Sequence, residues 1–173
     1  NTKEAVLATL LEKYDRVFVG GALANDFLKA SGQEVGKSLV SITDPVRIKN
    51  LLANSKLVLP VDSVVINEQI LDHGTGTIAL LAELVKKAKT ILWNGPLGNY
   101  ENGFTGATEG FARAVAASDA YSVIGGGDTI AAIENIGLLS RFSFVSTGGG
   151  AMLDFLAHGT LPGIEVLNSH ASA

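Results

Sequence analysis

Four glycine-rich stretches of this chain are composed in a way that suits the binding of an anion. They are Gly20-Gly21, Asn94-Gly95-Pro96-Leu97-Gly98, Gly125-Gly126-Gly127-Asp128-Thr129 and Ser146-Thr147-Gly148-Gly149-Gly150. Glycine lets backbone N–H groups approach a phosphate closely, and a helix beginning just afterwards adds the positive end of its dipole. One glycine pair after a strand is ordinary α/β punctuation. Two runs of three glycines are costly in chain entropy and make sense where side chains must be absent. Asp128, inside one of these turns, would repel a phosphate unless a cation lay between them. Mg2+, typically held by one or two carboxylates plus substrate phosphates, is the cation that fits. Asp128 is also placed to cap the following helix by accepting from a residue such as Ala131, and both roles can hold together.

Each turn follows a short apolar run. The runs at Arg16–Val19, Leu57–Val61, Thr90–Trp93, Ala120–Ile124 and Phe142–Ser146 are rich in Val, Ile and aromatics and read as buried strands of a parallel sheet. Between them, apolar residues recur at helical spacing in Ala5–Leu11, Leu23–Ala30, Val46–Leu52, Ile78–Val85, Phe111–Val115, Ile130–Ile136 and Met152–Leu156. Asp44-Pro45 supplies an N-cap and an N1 proline, Thr75 or Thr77 can cap the Ile78 helix, and Gly137 and Gly159 can end theirs. Val61–Thr77 is the least regular segment, with room for a short strand pair around Val64–Ile66. Alternating strands and helices require right-handed crossovers, which predicts a doubly wound, mostly parallel sheet with helices on both faces. In such a sheet ligands bind beyond the carboxyl ends of the strands, where all four glycine turns fall.

Composition bounds the alternatives. The 173 residues are 47% hydrophobic and 17% charged, with 20 glycines and 4 prolines, so one compact α/β domain over residues 1–173 is expected. The absence of cysteine removes disulfides and thiolate metal sites, and cytoplasm is the expected location. No apolar run is long enough to span a bilayer and the N-terminus has no signal-peptide core, so a soluble, unprocessed protein without a membrane partner is expected. A net charge of -4 without a concentrated basic set argues against a nucleic-acid partner.

Gly32-Gln33-Glu34-Val35-Gly36-Lys37-Ser38 is close to a P-loop, but Ser31 stands where that motif needs glycine, and the segment follows a helix rather than a strand. His73, His158 and His170 have neither metal-ligand spacing nor a partner nucleophile and read as surface residues. Trp93 reads as sheet packing. A dinucleotide site is disfavoured because Gly20-Gly21-Ala22 lacks Gly-x-Gly-x-x-Gly spacing and no acid ends a second strand about 20 residues on.

Taken together, the turns resemble those of the C-terminal, nucleotide-binding domain of phosphoglycerate kinases. The resemblance runs in order through Val19-Gly20-Gly21-Ala22-Leu23-Ala24 with Phe27-Leu28, Gly36-Lys37-Ser38-Leu39, Leu59-Pro60-Val61-Asp62, Trp93-Asn94-Gly95-Pro96-Leu97-Gly98, Gly125 to Thr129, Ser146 to Ala151, and Leu161-Pro162-Gly163. It implies ADP or ATP as substrate, Mg2+ as cofactor, and reversible phosphoryl transfer between 1,3-bisphosphoglycerate and ADP in glycolysis. By position it implies that Gly126, Gly127, Asp128 and Thr129 meet the nucleotide phosphates, with Asp128 as the metal-associated acid and Asn94 as a phosphate-contacting amide. Glu101 matches the acid on the ribose hydroxyls. Gly20, Gly21, Ala22 and Leu71 match the adenine walls, with Pro96 against the nucleoside. Gly149 and Gly150 match the helix start facing the transferred phosphoryl group, and Lys3 the lysine reaching the terminal phosphates.

The sequence departs from the family at Ile70, where glycine is usual beside adenine, and at Asn99-Tyr100, which replace a more apolar pair. Asn1-Thr2 and Ala107-Thr108 are milder departures. The resemblance further implies that the chain begins just after a Gly-Gly-Ala-Lys strand, so that this strand, a second phosphate-contacting lysine and the phosphoglycerate-binding N-terminal domain are expected outside it. A monomer is expected. Two functions follow as alternatives: the nucleotide half of the kinase, not turning over by itself, or a stand-alone, non-catalytic nucleotide-binding module.

Overall fold

The computed structural model describes residues 2–41 and 44–170. In chain order the elements are α1 (Thr2–Lys13), β1 (Val17–Phe18), α2 (Gly21–Ala30), α3 (Pro45–Leu52), β2 (Leu57–Val58), β3 (Ser63–Ile66), β4 (Gln69–His73), α4 (Thr75–Val85), β5 (Thr90–Asn94), α5 (Gly106–Ala116), β6 (Tyr121–Gly125), α6 (Gly127–Asn135), β7 (Phe144–Ser146), α7 (Gly149–His158) and α8 (Pro162–His170). This is the expected doubly wound α/β arrangement, with parallel strands joined through helices. The parallel pairing forms two blocks, β1–β2 and β5–β6–β7, with Val17 opposite Leu57, Trp93 opposite Ile124, and Ile124 opposite Val145.

All seven helices read from periodicity are present, and α8 is additional. The irregular segment is an antiparallel hairpin, β3–β4, closed by Asn67 and Glu68 at φ of 50° and 64°. Two successive left-handed residues match a two-residue turn to the twist of its strands. Asp44 caps α3 as expected, its Oδ1 accepting from Val46 N–H at 2.9 Å, and Gly159 ends α7 in the left-handed conformation. Two expected caps are corrected. α4 starts after Gly74, and its first turn is capped by Asp62 from another segment, whose carboxylate accepts from Gly76 N–H at 2.8 Å and Thr77 N–H at 2.7 Å. α6 has Gly126 as N-cap with no side-chain cap, so Asp128 lies within the first turn and is not the cap.

Apolar burial holds these elements around the sheet. Trp93, Ala112, Val115, Ile124 and Ile133 form the core beneath β5–β6–β7, while Leu7, Leu11, Val19, Phe27 and Ile48 pack α1, α2 and α3 beside β1. Full burial of a side chain such as Ile124 is worth about 1.5–3 kcal/mol. Trp93 is packing, as expected: its ring meets Phe111 edge-on at 4.8 Å, and its Nε1–H donates to Gly95 O at 2.7 Å.

Candidate nucleotide site

The turn after β5 is joined to those after β6 and β7. Gly95 N–H donates to Thr129 Oγ1 at 2.8 Å, and Asn94 Nδ2–H donates to Gly149 O at 3.2 Å. A Cβ on Gly149 would overlap Gly126 N and Cα and come within 2.9 Å of Asn94 Nδ2, so only glycine lets the two turns touch. A Cβ on Gly127 or Gly150 would meet nothing within 4 Å. The outcome is two helix N-termini, of α6 and α7, opening side by side at the carboxyl edge of the sheet, with the exposed Asn94 amide between them. Unpaired N–H groups at such ends suit an anion. Thr129 is fully buried, and its hydroxyl links the turns.

Asp128 is exposed in the first turn of α6, and no side chain caps that helix. Among the described residues no three His, Asp or Glu side chains cluster into a metal cage. A lone exposed carboxylate beside two helix N-termini can supply one ligand to a Mg2+ ion that also takes phosphate oxygens.

Two residues on from Asn94, at Pro96, the wall of a cavity of about 420 Å3 begins. Gly21 and Ala22 of α2, Ile70 and Leu71 of β4, and Pro96 line it, as do Leu39 and the polar Asn25 and Ser38. A largely apolar cleft of this volume is within the range of small-ligand pockets. Of the residues expected around adenine, Gly21, Ala22, Leu71 and Pro96 therefore share one cavity. Gly20 lies behind that wall, where an added Cβ would meet Phe18, Leu97 and His73. Glu101 is exposed in a single 3-10 turn, Tyr100–Asn102, just beyond the cavity-lining Asn99. Lys3 falls within α1, and its side chain lies outside the described residues.

The wall and frame of the cavity contain buried polar residues that local sequence signals miss, Asp72 and His73 among its lining. Asp72 is buried, with Oδ2 accepting from Ala107 N–H at 3.1 Å and Oδ1 from His73 N–H at 2.9 Å. It anchors the start of α5, while Thr108 Oγ1 accepts from Leu97 N–H at 2.9 Å and Leu71 O from Asn99 N–H at 2.8 Å. The Thr77 hydroxyl, and then the Gly76 and Thr77 amides, hold the Asp62 carboxyl below its usual range. The surface reading of His73 is overturned, because the residue is only 2% exposed and burial pushes its imidazole pKa down. His158 is exposed, as expected, and His170 has its side chain outside the described residues. The alternation of strand and turn revealed the glycines; the buried anchors are distant in sequence and carry no such mark.

The segment Gly32 to Ser38, rejected as a P-loop, is a connecting loop between α2 and α3. Lys37 N–H donates to Glu68 O at 2.7 Å, and Ser38 Oγ accepts from Ile70 N–H at 2.8 Å, so the segment braces the β3–β4 hairpin.

Known proteins share this arrangement. Phosphoglycerate kinase of Francisella tularensis is 42% identical over 196 aligned residues, covering 99% of this chain and 50% of that protein. The Haemophilus influenzae enzyme is 41% identical over 191, with the same coverage. The structure of phosphoglycerate kinase from Coxiella burnetii superposes with a TM-score of 0.87 at 40% identity, over 98% of this chain and 50% of that one. The Pyrococcus horikoshii enzyme gives 0.79 at 30% identity, over 95% and 48%. The chain thus spans about half the length of these relatives. The profile of the phosphoglycerate kinase family matches residues 1–159, and the chain belongs to that family.

Proposed function

We propose that residues 1–173 form the nucleotide-binding domain of a phosphoglycerate kinase that holds Mg2+-complexed ADP or ATP. The observation that carries this reading is the continuity, through Asn94–Pro96, between the paired helix N-termini and the 420 Å3 cavity. A nucleotide has a matching shape, an apolar base at one end and a polyphosphate at the other. The base enters between Gly21-Ala22, Leu71 and Pro96, with Gly20 behind; Glu101 accepts from the ribose hydroxyls. The phosphates meet Asn94 and the N–H groups of Gly126 to Thr129.

Asp128 holds Mg2+, which neutralises phosphate charge when bound. Gly149 and Gly150 turn the N-terminus of α7 toward the transferred phosphoryl group, and Lys3 brings a cation to the terminal phosphates. Phosphoryl transfer is mostly positioning and charge neutralisation, so such a site needs no general base. The reaction proposed for the whole protein is reversible transfer between 1,3-bisphosphoglycerate and ADP, with an N-terminal phosphoglycerate-binding domain as partner. A monomeric, cytoplasmic protein with neither nucleic-acid nor membrane partners is part of the proposal.

Calorimetry with Mg–ADP and with NAD tests the site. Binding of Mg–ADP at a 1:1 ratio and no binding of NAD are expected, because the turns accommodate one polyphosphate and Glu101 one ribose. Equal affinity for both would refute the reading. The half-length match also favours a second reading, a nucleotide-binding module that does not catalyse. Turnover measured beside binding, in the presence of the N-terminal half, separates the two.

A further inference from the structure

α2 begins with an incomplete local cap. Its N-cap is Gly20, which has no side chain to satisfy the first N–H groups, and Gly21 follows at φ of +60°. The partner comes from β4, 52 residues away: His73 Nε2 accepts from Gly21 N–H at 3.1 Å. An imidazole nitrogen that accepts a hydrogen bond carries no proton, so the neutral ring must be protonated on Nδ1. That nitrogen is buried without a hydrogen-bond partner, so the surroundings do not stabilise a charged ring through it. Phe18 packs edge-on to the ring at 5.9 Å and fixes its plane.

We propose that His73 is a positioning residue for the nucleotide pocket: in its Nδ1-protonated, neutral form it holds Gly21, and a nucleoside binds more tightly against Gly21 and Ala22 while that bond stands. This rests on reading the cavity as the nucleoside site. An imidazolium has donors on both nitrogens, so its Nε2–H would face the Gly21 N–H, turning an attraction into a clash of donors. The wall of the cavity would then lose its anchor, and α2 would lose its remote cap.

The charged groups around the ring set the direction of the pH response. Asp72 on β4 and Asp62 before β3 both favour the imidazolium, yet burial outweighs them and the imidazole stays neutral below its usual range. Asp72 is engaged with Ala107 and His73 N–H, and Asp62 with α4. On α2, Asp26 uses Oδ1 to accept from Ser41 N–H at 2.7 Å. On α5, which packs against β4, Glu109 pairs with Arg113 at 3.5 Å. Phe18, Leu97 and strand β3 present no charge.

The test uses the full chain, with ADP and Mg2+ as probe, from pH 8 to 4.5. Ring 15N shifts report the tautomer, the Gly21 amide shift reports the bond, and calorimetry reports affinity. The expected result is an Nδ1–H tautomer at pH 8, with the Gly21 amide and ADP affinity changing together as His73 protonates. His73→Phe should weaken ADP binding roughly two- to tenfold, the worth of one hydrogen bond. His73→Gln keeps a neutral acceptor, so it should restore part of the affinity and flatten the pH profile relative to the wild type. This comparison removes the titration of ADP itself. An Nε2–H tautomer, or a folded His73→Phe variant that binds ADP as tightly as the wild type with the same pH profile, overturns the proposal. If the Phe variant does not fold, identical pH profiles for the wild type and His73→Gln overturn it equally. A wild-type chain that binds no ADP at any pH overturns the pocket reading, while the tautomer and the Gly21 shift still decide the His73–Gly21 bond.

Discussion

At the scale of single residues, the site separates groups that build the turns from groups left open to a ligand. Gly149 and Gly150 are neighbours with opposite environments. A methyl on Gly149 would overlap Gly126 backbone, whereas one on Gly150 would meet open space. Gly149→Ala is therefore expected to destabilise the fold by about 1–3 kcal/mol, the usual cost of overpacking. Gly150→Ala should leave stability unchanged or slightly raised, because alanine favours the helix. Urea denaturation of the two variants measures the contrast, and equal losses would show that the turns are not in close contact. Asp128 offers the complementary case. It is not the cap of α6, so Asp128→Asn should change stability by less than about 1 kcal/mol, the upper end of a first-turn charge interacting with the helix dipole. Its expected effect is on the metal: nucleotide affinity measured with and without Mg2+ should differ less in the variant than in the wild type. An undiminished Mg2+ effect would remove Asp128 from the metal role.

Among the elements, the starts of α2 and α4 are fixed by residues from elsewhere in the fold. Asp62 caps α4 from 14 residues before Gly76, and His73 holds α2 from 52 residues after Gly21. Asp62→Ala should cost about 1–2 kcal/mol, as loss of an N-cap does. The sign of its pH dependence follows from a folded carboxyl held below the ordinary value of 3.8: the unfolded chain binds the proton first. The stabilisation is therefore complete above the unfolded value and lost as pH falls through the folded one. His73, also lower in the folded state, starts to subtract stability below its ordinary value of 6.5. Chemical denaturation at stepped pH should show the Asp62 limb vanish in Asp62→Ala while the His73 limb remains; an unchanged acid limb would mean that Asp62 is not the cap. These remote caps also explain what was legible in the sequence. Period and turn chemistry revealed seven helices, the parallel strands and all four glycine turns, because those signals are local. Thr75, Thr77 and Asp128 drew the cap assignments for the same reason, being close by, whereas Asp62, Asp72 and His73 act across the fold. α8 carries no such mark in the sequence, because its exposed Val166 and Leu167 give it little of the buried face that identifies a helix by its pattern.

On the scale of the whole molecule, the proposed nucleotide site would account for one of the two substrates of the proposed reaction. Transfer of a phosphoryl group requires donor and acceptor oxygens close together and in line, and such positioning can supply roughly 7–11 kcal/mol of barrier reduction. The relatives are about twice as long as this chain, and we expect the missing positioning to come from an N-terminal half. The sheet offers a place for the junction. Among the described residues β1 pairs only with β2, and β5 only with β6, leaving each with an unpaired edge. α1 leads directly into β1, as a crossover helix does after a preceding parallel strand, and right-handed crossovers would seat that strand beside β1. A Gly-Gly-Ala-Lys strand at the end of the N-terminal half would satisfy the open edge and bring its phosphate-contacting lysine to the carboxyl end of the sheet. The 173-residue chain alone is therefore expected to bind Mg–ADP without making ATP from 1,3-bisphosphoglycerate. Adding a separately expressed N-terminal half that ends with that strand should restore part of the activity; the same half shortened by the strand should restore less. Coupled ATP production with each combination decides it, using preparations freed of host enzyme. Robust turnover by the chain alone would require an acceptor site within these residues, and equal rescue by both halves would show that the strand is not what joins them.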